Sequence, residues 1–408
     1  MLPPPPTPPI DILEQARGFA DWIVALRRAI HAEPELGLAN PKTRDKLRAA
    51  LAHLPLEWRE GPSTTGLVAR LVGTGAADGP LRRVLLRGDT DALPMAEETG
   101  LTFSSHVPGA MHACGHDTHA AMLAGAAHVL CARADTFAGE VVFMFQPGEE
   151  GFHGARYMIE DGLLDPLPDA AFALHIMPDS PHGLIAGRAG ALMASADRFE
   201  IIVTGQGGHA SMPHQTLDPM PVACEIVTAI QTMVTRRFPV ADPVVVTVSE
   251  IHAGTAHNII PDRAVLRGTL RTLSRHNRIA LHERLTTLAK GIAAAHGLSA
   301  TVAVFEGFPV TICDARAVDL GEAVAHEIGA PLRFHRLSHP IMGAEDFAYV
   351  LEKTPGAMFF LGVAAPDADP KQCWGIHSPR MVVDEAALPI GTALLAGCAE
   401  RFLTRGFK

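Results

Sequence analysis

The sequence has no run of about five like charges and no surplus of basic residues. Its 34 lysines and arginines stand against 44 aspartates and glutamates, for a net charge of −10. That balance excludes a phosphate-backbone partner, which needs a basic stripe, so no nucleic acid is expected. No uninterrupted apolar segment approaches the roughly 18 residues of a membrane-spanning helix, and no membrane association is expected. A cysteine framework is missing too. Cys114, Cys131, Cys224, Cys313, Cys373 and Cys398 are scattered, which suits a reducing compartment and makes cytoplasmic residence the expectation. The N-terminus has neither the basic start nor the apolar stretch of a signal peptide. Residues 1–9 are nearly all proline and read as a short, disordered tail.

What is present is enough apolar residue, 48% of 408, to bury large cores. That length exceeds what one core usually supports, so two domains are expected. Asp11 and Glu14 have capping-box spacing, and Leu13, Trp22, Leu26 and Ile30 follow near one helical stripe. Asn40-Pro41 reads as an N-cap before proline at the first helical position. Apolar strands are expected at 66–71, 83–86, 141–145 and 170–174, with a helix at 118–133. Such alternation predicts an α/β fold, a mostly parallel sheet with helices on both faces. Between residues 190 and 306 the order becomes β-α-β-β-α-β, that of a ferredoxin-like unit. Helix–strand alternation then resumes, closing with a helix at 385–402. The expected division is a first domain of residues 10–189 and 307–408 and an inserted domain of residues 190–306.

Four stretches carry chemistry at the ends of expected strands, where ligands bind in open α/β sheets. They are Arg87-Gly88-Asp89-Thr90-Asp91, then Met111 to His119, then Gln146-Pro147-Gly148-Glu149-Glu150-Gly151, and His175. His377 sits in a later loop beside Ser378-Pro379. Cys114 and His116, two residues apart, are preferred ligands of zinc and its neighbours. His116 and His119 are at i,i+3 spacing, and the sequence leaves open which imidazole points inward. Glu149 and Glu150 can divide two jobs, one holding metal and one acting as base. Each feature alone has an ordinary explanation: a buried cysteine, a solvated acidic turn, a core histidine. Their convergence supplies five donors, enough for two metals if one ligand or a water is shared. A nucleotide-binding G-x-G-x-x-G turn is missing, since Gly73-Thr74-Gly75-Ala76-Ala77 lacks the third glycine. The G-x-S-x-G of a serine hydrolase is missing as well.

The stretches RGDTDALPM, MHACGHDTH, FQPGEEG, ALHIMP and GGHASMP together resemble the amidohydrolase branch of the zinc aminoacylase/carboxypeptidase family. That branch includes hippurate hydrolases, N-acyl amino acid amidohydrolases and plant auxin–amino acid conjugate hydrolases. The likeness runs from Arg28 to His377. It implies two divalent metal ions (Zn, Mn, Co or Ni) on Cys114, His116, Glu150, His175 and His377, with Glu149 as general acid/base. It also implies that the inserted domain is a lid and dimerisation unit, so a homodimer or higher homo-oligomer is expected. His209 would stabilise the reacting carbonyl, and Asn258 and Arg271 would hold the substrate carboxylate. The implied substrates are small N-acyl amino acids, with dipeptides as the runner-up. Two departures stand out. Asp89-Thr90-Asp91 replaces the His-x-Asp of much of the family, leaving Asp89 and Asp91, with Asp117, as groups that support the ligands. Gly148 stands where alanine is also common, a small change expected to lose no chemistry.

Overall fold

The computed structural model describes residues 11–77, 79–329 and 332–407. The expected proline tail lies outside them. The chain forms two compact units. One runs to Gly190 and resumes at Ile312–Ser338 and from Tyr349 onward. The other comprises Ala191–Thr311 and His339–Ala348.

Eight strands form the sheet of the first unit. Their spatial order is Glu57–Glu60, Leu67–Thr74, Ala138–Gln146, Arg83–Asp89, Ala170–Met177, Gly356–Gly362, Leu184–Gly187, Leu332–Arg336. The three central pairings, from Ala138–Gln146 across to Gly356–Gly362, are parallel, as the strand–helix alternation predicts. Strands Arg83–Asp89 and Gly356–Gly362 are buried at every position. Such strands are covered on both faces and read as continuous apolar runs. The helix His116–Ala132 lacks a polar stripe for the same reason: it packs on Ala20–His31, Leu388–Arg405 and the sheet strand Arg83–Asp89. Segment Glu385–Arg405 is long and apolar enough by composition to cross a membrane, but 83% of its apolar window is buried inside the molecule. It is a core element.

Local expectations differ from the structure in two places. The N-terminal stripe is two helices, Ile12–Gly18 and Ala20–His31, with Phe19 between them. Pro41 does open the helix Pro41–Leu51, yet the Asn40 side chain does not cap it and instead donates to the Gly37 carbonyl. Glu35 takes over, its carboxylate accepting from the backbone N–H of Lys42 at 3.1 Å and of Thr43 at 2.8 Å. Strands Glu57–Glu60, Leu184–Gly187 and Leu332–Arg336 and helix Gly154–Glu160 were not expected, being short and without a strong apolar period.

The second unit holds strand Ala196–Thr204, helix Pro219–Arg237, strands Val244–Ala253 and Arg263–Thr272, helix Arg275–Ala295 and strand Ser299–Phe308. The four strands are antiparallel, in spatial order Val244–Ala253, Arg263–Thr272, Ala196–Thr204, Ser299–Phe308. This is the ferredoxin-like order. Phe199, Ile201 and Val203 alternate inward and meet Ile226, Ile230, Leu281 and Leu285 of the two helices. Residues 339–348, which the sequence assigns to 307–408, fall in this unit. The Ala194 N–H donates to the carbonyls of Ile341 and Gly343, and the Ile341 N–H donates to that of Leu192.

Candidate metal centre

The site lies at the C-terminal end of the central strands of the first unit. Gly115 separates Cys114 from His116 and takes φ +87, a left-handed turn open to glycine at no cost. A β-carbon there would lie 2.5 Å from the Ile176 side chain. The turn lets Cys114 and the first helical residue, His116, face the same space. Cys114 Sγ is 3.3 Å from His175 Nε2. His377 Nε2 is 3.3 Å from Glu150 Oε1. The His377 backbone is itself left-handed, at φ 66, and its N–H donates to the Ala113 carbonyl, joining the late loop to the cysteine loop. Three donor sets each lie within 4.8 Å: Cys114, His116 and His175; Cys114, Glu150 and His377; His116, Glu149 and Glu150. All six residues that the sequence nominates for metal and base therefore converge.

Asp91 organises this cluster without joining it. Its carboxylate accepts from the backbone N–H groups of Glu149 and Glu150, both at 3.0 Å. It also lies 3.2 Å from His116 Nδ1, which holds a proton on that nitrogen and leaves Nε2 turned to the cluster. His175 has the same arrangement, with Nδ1 2.7 Å from the Ile176 carbonyl and Nε2 toward Cys114. Asp89 is buried and bonded to Arg87 at 2.6 Å and to His119 at 2.6 Å. Against the cost of burial, Arg87 and the nearby histidines hold its carboxyl well below the usual range. Asp117 does not bond to a candidate ligand. One of its oxygens accepts from Arg27 at 2.6 Å and lies 2.9 Å from His31, within a buried ion cluster that also holds Glu97 and Glu385. Arg87 stands out in the sequence only as part of the Asp89-Thr90-Asp91 stretch, and Arg27 and His31 do not stand out there at all; Asp117, the partner of both, comes from a distant stretch.

The electrostatics favour a cation. His116 Nε2 and Glu150 Oε1 are buried without a hydrogen bond among the described residues. Such groups carry a desolvation penalty that a coordinated ion would remove. Asp89 and Cys114 draw positive charge to His116, lifting its imidazole well above the usual value despite burial. Burial pushes the Cys114 thiol up to about 12, a shift that a divalent cation reverses. Burial and the neighbouring His119 push His175 well below the usual value, so its lone pair stays available. The residues present fit a divalent metal pair.

His209, Asn258 and Arg271 belong to the second unit. His209 lies on a two-residue strand, Gly208–His209, paired with Ile259–Ile260, and the Ala210 N–H donates to the Asn258 carbonyl. Both residues are exposed. His209 Nδ1 accepts from the Ser211 N–H, so the ring proton of the neutral imidazole is on Nε2. Arg271, half-buried on strand Arg263–Thr272, is shifted downward by burial. Gly148 is more than a small alanine substitute. Its φ is +75, and a β-carbon would lie 2.6 Å from Leu38.

Known proteins resemble this chain over nearly its whole length. It is 37% identical to thermostable carboxypeptidase 1 of Saccharolobus solfataricus, over 96% of this chain and 99% of that one. It is also 37% identical to an N-acetylcysteine deacetylase of Bacillus subtilis, over 94% and 97%. A crystal structure of a dinuclear metal binding peptidase of the M20 family from Bacillus subtilis superposes with TM-score 0.81 at 34% identity, covering 95% of this chain and 99% of that one. The pattern of peptidase family M20/M25/M40 matches residues 85–401, and the chain belongs to that family of hydrolases, in its amidohydrolase branch.

Proposed function

We propose that the chain hydrolyses the amide bond of small N-acyl amino acids at a two-metal site held by Cys114, His116, Glu150, His175 and His377. The observation that carries this reading is the convergence of Cys114, His116, Glu149, Glu150, His175 and His377 in overlapping sets of potential ligand atoms within 4.8 Å, with His116 Nε2 buried and without a hydrogen bond among the described residues. A divalent pair, when bound, supplies Lewis acidity toward water and the substrate carbonyl. Glu149 then accepts the proton of the attacking water and delivers it to the departing amine nitrogen. Asp91 supports that role by holding the Glu149 backbone. In this reading His209 donates from Nε2–H to the developing oxyanion, as its Ser211 bond favours. Arg271 pairs with the α-carboxylate and Asn258 assists. The second unit serves as lid and dimerisation domain. Its sheet ends at strand Val244–Ala253, where Val245 and Ile251 are exposed, which supports pairing with a second copy.

The competing reading is a peptidase on the same site, favoured by the carboxypeptidase relative at equal identity. One preparation decides: metal content is measured, then hydrolysis of N-acetyl, N-benzoyl and indole-acyl amino acids and of dipeptides, before and after chelation and metal restoration. Metal-restorable cleavage of acyl amino acids is expected. Cleavage of dipeptides alone would select the peptidase reading. Bound metal with no turnover on any substrate would make the chain a binding homologue.

A further inference from the structure

The parallel ladder between strands Arg83–Asp89 and Ala170–Met177 runs from Val84↔Ala170 to Arg87↔Ala173. Past that pair the strands separate, although the second continues to Met177. The side chain of His119 occupies the gap. Its Nδ1 is 2.6 Å from Asp89 Oδ1, and its Nε2 accepts from the Ile176 N–H at 2.9 Å. We infer that His119 is no metal ligand but a positioning residue that, held by Asp89, fixes Ile176 and through it presents His175 Nε2 to the metal. This rests on the two-metal reading above.

An imidazole has two nitrogens, and here both are spent. A backbone N–H donating to Nε2 requires the proton on Nδ1, where Asp89 accepts it. No lone pair remains for an ion, although Asp89, His116 and His119 lie close enough to resemble a further donor set. Ile176 is gripped twice, its N–H by His119 and its carbonyl by His175 Nδ1 at 2.7 Å. The rings of His119 and His175 also meet edge to face, with centroids 4.6 Å apart. Arg87, 2.6 Å from Asp89 Oδ2, anchors the far end. Metal-binding histidines are usually oriented by one partner, a carboxylate, a backbone carbonyl or a water, on the other ring nitrogen. Here the carboxylate acts through a second histidine and one residue of backbone.

The test titrates metal-free protein with Co²⁺, following the thiolate-to-cobalt absorption band and the number of ions bound per chain. His119→Phe keeps a ring but neither hydrogen bond; His119→Gln keeps an acceptor for the Ile176 N–H. His119→Phe should bind as many ions as the wild type, about 10- to 100-fold more weakly, with a shifted band. His119→Gln should bind close to the wild type. Should phenylalanine prevent folding, His119→Asn, too short to span both partners, carries the same expectation. Loss of one ion per chain in both the Phe and Gln variants would make His119 a ligand and overturn the inference. Wild-type affinity in His119→Phe would overturn it too. If the wild-type chain bound no cobalt, the metal reading itself would fall, and this inference with it.

Discussion

Asp91 is the residue on which the site's geometry turns, because one carboxylate serves Glu149, Glu150 and His116 together. It touches Glu149 through the backbone, a contact that exchange of the Glu149 side chain leaves in place. Glu149→Gln should therefore retain its metal while turnover falls roughly 10²- to 10⁴-fold. Metal analysis and kinetics on the same preparation check this, and loss of metal would make Glu149 a ligand. The adjacent glutamates were legible in the sequence as a pair able to divide two roles. Asp91 was legible only as a supporting group, since its partners come from distant stretches. The left-handed backbone of Gly148 was not legible at all. A left-handed φ is a backbone property that composition does not display.

Between residues and the whole, helix starts show where sequence signals compete. Asn40 has the capping chemistry, but its side chain is buried and bonded to the Gly37 carbonyl and the Thr90 hydroxyl. The free N–H groups at the start of Pro41–Leu51 go instead to Glu35. Glu35→Ala should cost about 1 kcal/mol, the usual worth of an N-terminal cap, measured by urea unfolding. An unchanged midpoint would mean that water caps this helix equally well. The long core elements were easier to place. Strands at 83–86, 141–145 and 170–174 are each found within a slightly longer observed strand. The edge strand Glu57–Glu60 went unseen because it buries too little to leave a pattern, and Leu184–Gly187, interior and mostly buried, because four residues are too few to show one.

Across the whole molecule, buried ionic groups set a pH window. His31 is fully buried with both ring nitrogens beside carboxylates, Asp117 at 2.9 Å and Glu97 at 3.2 Å. Burial opposes its charge, but these partners prevail and lift its pKa to about 9. Because the folded value is raised above the unfolded 6.5, this stabilisation is complete below pH 6.5 and lost as pH rises through about 9. The difference corresponds to about 3 kcal/mol. Thermal and urea unfolding across that range should show the decline in the wild type and little of it in His31→Gln. Equal slopes in both would remove His31 as its source.

The sequence by itself determined the fold class, because apolar periodicity and strand–helix alternation follow from which residues must leave water. It also determined the donor types, since cysteine, histidine and glutamate carry their coordination chemistry wherever they stand. Tertiary structure alone decided which of two histidines at helical spacing has both ring nitrogens bonded. His116 keeps Nε2 free while His119 spends both nitrogens on Asp89 and Ile176. That choice depends on where two strands part, after Arg87 and Ala173, a pairing between distant stretches that is invisible to any local pattern.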